Sequence, residues 1–180
     1  VHFTRNPWCL SFDGTNDLVD CDTAATDLAI LATGRVQAGI FVNATGTGVR
    51  TIFSLSDANT ETAFWLSISA THKLTASLVI AGVVQWTVTL DEALTLNGWV
   101  HAKIVHNGVE PKLFIDNDAP AQAFSVSTNK AAWLADLTGI DTCNIGALDY
   151  NSAGNALFFK GKIDYLYVYS PSSDIIAKLA

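Results

Sequence analysis

The strongest constraint on this chain is a period of two. Short runs that alternate apolar and polar side chains recur along its 180 residues, and Gly, Asn or Asp closes them. Side chains two apart share one face of an extended strand, so such runs read as half-buried strands joined by tight turns. In AFWLSISA (63–70), Phe64, Leu66 and Ile68 take one face while Trp65, Ser67 and Ser69 take the other. Val84, Trp86, Val88 and Leu90 form the inward set of a hairpin arm that turns at Ala81 and Gly82. Further strands are expected over 35–42 and 49–55, and over 8–12, where Trp8, Leu10 and Phe12 share a face. Helical pattern is sparse: one turn at 91–96, a short helix or loop at 129–137, and an amphipathic turn at 172–179 capped by Ser172 or Ser173. Many short strands at roughly 8 to 12 residue spacing favour a two-sheet sandwich or a barrel. With no repeat or linker, residues 1–180 read as a single domain.

Composition narrows the partners. Charged residues make up 15% of the chain and apolar ones 49%, which suits a packed core and not a disordered segment. The net charge is -7, and the ten Lys and Arg are scattered without a run. Nucleic acid is therefore not an expected partner, because phosphate binding draws on clustered cations; anionic membranes are disfavoured for the same reason. No apolar stretch approaches the roughly 20 residues of a membrane-spanning helix, and the basic-then-apolar order of a signal peptide is missing. The chain holds no methionine and begins at Val1, as a processed product or a segment of a longer protein would. Cys9, Cys21 and Cys143 give an odd count. Either Cys9 and Cys21 pair across neighbouring strands or all three are small buried side chains, and none stands in a zinc-like spacing.

Five segments together carry a family resemblance: LSFDGTNDLVDC (10–21), GWVHAKIVHNG (98–108), KLFIDN (112–117), NIGA (144–147) and FFKGKIDYLYVYS (158–170). In this order they resemble the laminin-G-like, or concanavalin A-like, jelly-roll domains, from about Leu10 to about Leu179. Asn117 stands where the family usually has glycine. The resemblance implies an all-β, two-sheet antiparallel jelly-roll sandwich. It also implies a structural Ca²⁺ that ties the Phe-Asp-Gly turn to the closing strand, with Asp13, Gly14 and Asp164 as the metal residues. The ordinary alternative is that both carboxylates simply accept local hydrogen bonds. Gly161 is expected where two backbones approach closely, and Tyr165, Tyr167 and Tyr169 on the face opposite Asp164, Leu166 and Val168.

Relatives of such folds include glycoside hydrolases, which need two carboxylates held about 5 to 5.5 Å apart for retaining chemistry. The three glutamates, Glu61, Glu92 and Glu110, lie in no Glu-x-Asp-x-Glu type pattern, so no catalytic residue is assigned and the chain is not read as an enzyme. The four histidines are read as ordinary strand or surface residues. Sugar binding needs an aromatic platform for a pyranose face and polar groups for its hydroxyls. Trp65, off its neighbours' core parity, and Trp133, in a connecting segment, are the platform candidates. The loop 147–155, ALDYNSAGN, adds Asp149, Tyr150 and Asn151. The expected function is a non-catalytic recognition module, carbohydrate-binding, in a secreted, cell-surface or virion-borne assembly. The rival is a structural virion protein, a phage capsid decoration or a tail or fibre component, whose faces contact protein subunits of a larger assembly as an oligomer.

Overall fold

The computed structural model describes residues 9–170 and the backbone of 175–178. In chain order the strands are β1 (Leu10–Asp13), β2 (Val19–Asp20), β3 (Gly34–Val42), β4 (Arg50–Asp57), β5 (Thr62–Ile68), β6 (Leu74–Ile80), β7 (Val83–Leu90), β8 (Gly98–His106), β9 (Pro111–Ile115), β10 (Gln122–Ser127), β11 (Thr142–Ile145), β12 (Leu148–Asp149), β13 (Asn155–Ala156), β14 (Lys160–Tyr169) and β15 (Ile175–Lys178). One sheet runs β1-β14-β3-β8-β9, with β15 also on β14; the other runs β10-β7-β6-β5-β4-β11-β2. All the pairings are antiparallel, and β12 and β13 form a separate small hairpin.

The core is the meeting of the two inner faces, and the period of two decides which side chains enter it. Phe64, Leu66 and Ile68 of β5 and Trp86, Val88 and Leu90 of β7 are fully buried. They face Val36, Ala38, Ile40 and Val42 of β3 and Val100, Ala102 and Ile104 of β8. Ala81 (φ 48°) and Gly82 (φ 79°) make the β6–β7 turn in the left-handed conformation that matches strand twist. Gly161 is required where expected: a Cβ there would sit 2.2 Å from the Phe41 carbonyl oxygen of β3. Alternation fails at one functional position. Strict parity puts Asp164 beside Leu166 in the core, but a bulge between Ile163 and Tyr165 adds one residue, so Ile163 and Leu166 both point inward and Asp164 does not.

Three local readings change. Residues 175–178 are a strand and not a helical turn, because β1 covers only the first half of β14 and the backbone of 167–169 needs a partner. Trp8 and the Ser172 or Ser173 cap lie outside the described residues. Between β2 and β3 stand a 3-10 turn (Asp22–Ala24) and one helical turn, α1 (Ala25–Leu28), that buries Ala25 and Leu28. No helix forms over 91–96, whereas Leu134–Asp136 does wind into a 3-10 turn. Finally, Cys21 stands across from Cys143, its amide donating to the Cys143 carbonyl at 2.8 Å, so the neighbour of Cys21 is Cys143 and not Cys9.

Candidate functional site

The outward face of the β10-to-β2 sheet is rich in hydroxyls over β4 to β7, those of β4 and β5 being buried and Thr75, Thr87 and Thr89 half-buried. Its strands alternate, and the positions that leave the core are Thr51, Ser54 and Ser56 on β4, Trp65 and Ser67 on β5, Thr75 and Ser77 on β6, and Thr87 and Thr89 on β7. Cross-strand hydroxyl pairs close the ladder on one side: Thr75 to Thr89 at 2.8 Å and Ser77 to Thr87 at 3.0 Å. Trp65 is the one aromatic residue in this set. Its neighbours in register are Ser54 and Ser77, both short, so the half-buried indole stands above the surface around it.

The loop 147–158 lies over the β4 and β11 side of that face and supplies a second ring. Ser54 Oγ donates to the Ala147 carbonyl at 2.8 Å, and Ser56 Oγ bonds the Asp149 carbonyl. Asn144 Nδ2 reaches Asn155 Oδ1 at 3.3 Å, and the Thr51 amide bonds the Leu157 carbonyl at 2.8 Å. Asn151 Nδ2 donates to Glu61 Oε1 at 3.0 Å, and the Asn151 amide to the Thr60 carbonyl at 3.1 Å. These bonds fix Tyr150 with its ring 6.2 Å from that of Trp65, tilted by 41°. Four of the residues expected from sequence, Trp65, Asp149, Tyr150 and Asn151, thus belong to one place. The serines that anchor the loop were not foreseen; the signal for them is the run of Ser and Thr at outward positions of three consecutive strands.

Trp133 does not belong to the site. It is 1% exposed, stacks on Trp86 (6.1 Å between centroids, 15°) and on His106 (4.8 Å, 14°), and meets Phe64 edge-on at 5.1 Å. Buried in the core among these rings, it offers no face to a ligand. His106 is 1% exposed and bonds the Lys130 carbonyl through Nε2 at 2.9 Å, while Nδ1 accepts from the Gly108 amide at 3.1 Å. Burial holds its imidazole below the ordinary value and keeps it neutral.

The residues expected to hold Ca²⁺ do not form one site. Asp13 is opposite Lys160, so Asp164 lies four residues further along β14, roughly 13 Å away at strand rise. Asp13 Oδ1 accepts the Thr15 amide at 2.7 Å, and the hollow beside Gly14 is lined by Arg50 and Lys160. Two cations against one carboxylate oppose a divalent ion, which needs several oxygen ligands. No cluster of three or more His, Cys, Asp or Glu able to hold a metal occurs among the described residues.

No protein-family model matches the sequence, and no curated protein matches it. Solved structures do. The CBM40 of the Ruminococcus gnavus IT-sialidase, bound to α2,3-sialyllactose, is similar with a TM-score of 0.76 at 16% identity, over 94% of this chain and 91% of that one. The NanB sialidase from Streptococcus pneumoniae is similar over 88% of this chain and 25% of that one, with a TM-score of 0.71 at 13% identity. A heptameric SAP-like pentraxin from Limulus polyphemus gives 0.58 at 15% identity, over 88% of this chain and 74% of that one. The class these likenesses and the two sheets define is an all-β, antiparallel jelly-roll sandwich.

Proposed function

We propose that the chain is a non-catalytic carbohydrate-recognition module that binds on the Trp65–Tyr150 face. One observation carries this reading: a half-buried tryptophan has a tyrosine pinned beside it, with half-buried Asp149 and exposed Asn151 on the same loop. An indole face packs on the apolar face of a pyranose, while nearby hydroxyl, amide and carboxylate groups meet the ring hydroxyls. The CBM40 neighbour, bound to sialyllactose, supports the same class of ligand. The charge at this site favours a neutral glycan over a sialylated one. The charged groups placed beside Tyr150 are carboxylates, Glu61, which accepts from Asn151, and Asp149. Such a surface repels a carboxylate sugar. This reading places the chain outside the cell or on a cell surface.

A glycan array with sialylated and desialylated pairs tests it, followed by calorimetry on the best ligand. Trp65→Ala and Tyr150→Ala are each expected to weaken binding by about 1 to 3 kcal/mol, roughly 5- to 150-fold, without loss of folding. An array on which nothing binds, or affinity that survives Trp65→Ala, refutes the assignment of this face.

A further inference from the structure

The opposite sheet carries a second concavity, on its outward face and remote from Trp65. β3 has Phe41 and Gln37 on that face but only Gly39 between them, and the bulge in β14 lays the Tyr165 ring over the gap; a Cβ at Gly39 would meet Tyr165 Cε1 at 2.6 Å. The result is a cavity of about 80 Å³ walled by Trp99, Tyr165, His101, Asp116 and Asp164. Trp99 is 38% exposed and is held edge-on by Phe41 at 5.7 Å. Asp116 and Asn117 (φ 51° and 72°) form the two-residue turn after β9, and Asp116 Oδ1 accepts the His101 amide at 2.8 Å, which fixes that carboxylate at the rim. Asp164 Oδ1 and His101 Nε2 are shielded from solvent and have no hydrogen-bond partner.

We propose that this cavity binds an organic primary ammonium group. Two carboxylates and two aromatic faces surround the space, and none of the cavity-lining residues is a lysine or arginine. A buried carboxylate oxygen without a partner is costly, and an ammonium supplies both the missing donor and the opposite charge. Trp99 adds a π face, the best of the ring types for a cation. Burial keeps His101 below its ordinary value and pushes Tyr165 up to about 12, so both rings stay neutral; with its proton on Nδ1, the imidazole offers Nε2 as a further acceptor. The nearest cations of this face are engaged elsewhere: Lys103 Nζ bonds Asn117 Oδ1 at 3.2 Å and sits over Phe114, and Arg35 lies over the Tyr169 ring at 3.9 Å.

Titration of the isotope-labelled chain by NMR tests the proposal with n-butylammonium, glucosamine and N-acetylglucosamine. The first two carry the charge and the third does not. Saturable shifts centred on Trp99 and His101 are expected with the amines and not with the acetylated sugar; the tighter of the two amines tells an alkylamine source from an amino sugar. Asp164→Asn, isosteric and on an outward bulge, should weaken binding about tenfold or more. Trp99→Ala should weaken it too, and Trp65→Ala should leave it unchanged. Absence of saturable shifts, equal binding of N-acetylglucosamine, or full affinity in Asp164→Asn overturns it.

A separate observation points to covalent chemistry at the edge of the other sheet. Cys21 continues the β2–β11 register opposite Cys143, and opposite residues in an antiparallel ladder stand about 4.5 to 5.5 Å apart at Cα, inside the disulfide range. Both side chains are on the core side, Cys143 buried and Cys21 half-buried. We infer that these two thiols form a disulfide when a low-molecular-weight disulfide is available. The neighbouring Cys143 side chain holds the Cys21 thiol below its ordinary value, while Cys21 and burial push the Cys143 thiol up. The Cys21 thiolate attacks the external disulfide and releases one thiolate; Cys143 then gives up its proton to solvent, attacks the Cys21 sulfur and releases the second. Incubation with glutathione disulfide should give a chain lighter by two hydrogens, a peptide joining Cys21 to Cys143, one titratable thiol at Cys9 and a raised melting temperature. Cys143→Ser should stop at a glutathione adduct on Cys21. A persistent adduct in the unaltered chain, or a bond involving Cys9, overturns the pairing.

Discussion

Trp133 is surrounded by the rings of Phe64, Trp86 and His106, so its truncation to alanine leaves a cavity that the stacked core cannot close. Trp133→Ala should cost about 3 to 5 kcal/mol in denaturant unfolding, whereas Trp65→Ala, on the outward face, should cost far less and act on ligand affinity. Buried His106 makes a second residue-level prediction. Its folded pKa is lowered, so the unfolded chain binds more protons wherever the two differ, and stability rises with pH there. The stabilising contribution is fully present above the ordinary imidazole value of about 6.5 and is lost as pH falls below it toward the lowered folded value. His101 acts in the same direction. Unfolding curves across this window should therefore show falling stability on acidification, with a shallower fall in His106→Gln.

At the scale of strands and loops, the constraint at Gly161 is backbone against backbone. Its φ of 150° and the carbonyl of Phe41 leave no room for a side chain, and Gly161→Ala should destabilise by about 2 kcal/mol or more in thermal or denaturant unfolding. The loop 147–158 depends on outward serines, so replacing Ser54 and Ser56 together by alanine should raise hydrogen exchange at 147–155 and lower glycan affinity while leaving β5 protected. The strands and inner faces were legible because alternation is a local property: Phe64, Leu66, Ile68, Trp86, Val88 and Leu90 all face as their parity says. Asp164 was not, since a bulge shifts parity without marking the sequence. Trp133 was misplaced because a short connecting segment carries no period to say which side is inward. Trp65 and Tyr150 stand in separate segments, and their meeting depends on Ser54 of β4 and Glu61 of the turn before β5, roughly 90 residues away in sequence from the loop they hold.

For the molecule as a whole, a net charge of -7 makes ionic strength a discriminating variable. Recognition of a neutral glycan by stacking should change less than about twofold between low and high salt, while capture of an ammonium by Asp164 and Asp116 should weaken as salt rises. Isothermal titration at several salt concentrations separates the two faces. The margins of the sheets have a consequence of their own. β2 is two residues long, β9 begins with Pro111, β10 is kinked between Phe124 and Val126, and the border beside β14 is divided between two four-residue strands. An incoming chain finds no long, flat ribbon to zip onto. Copies of this sandwich should therefore stay dispersed at high concentration, where a smoother rim would seed fibres.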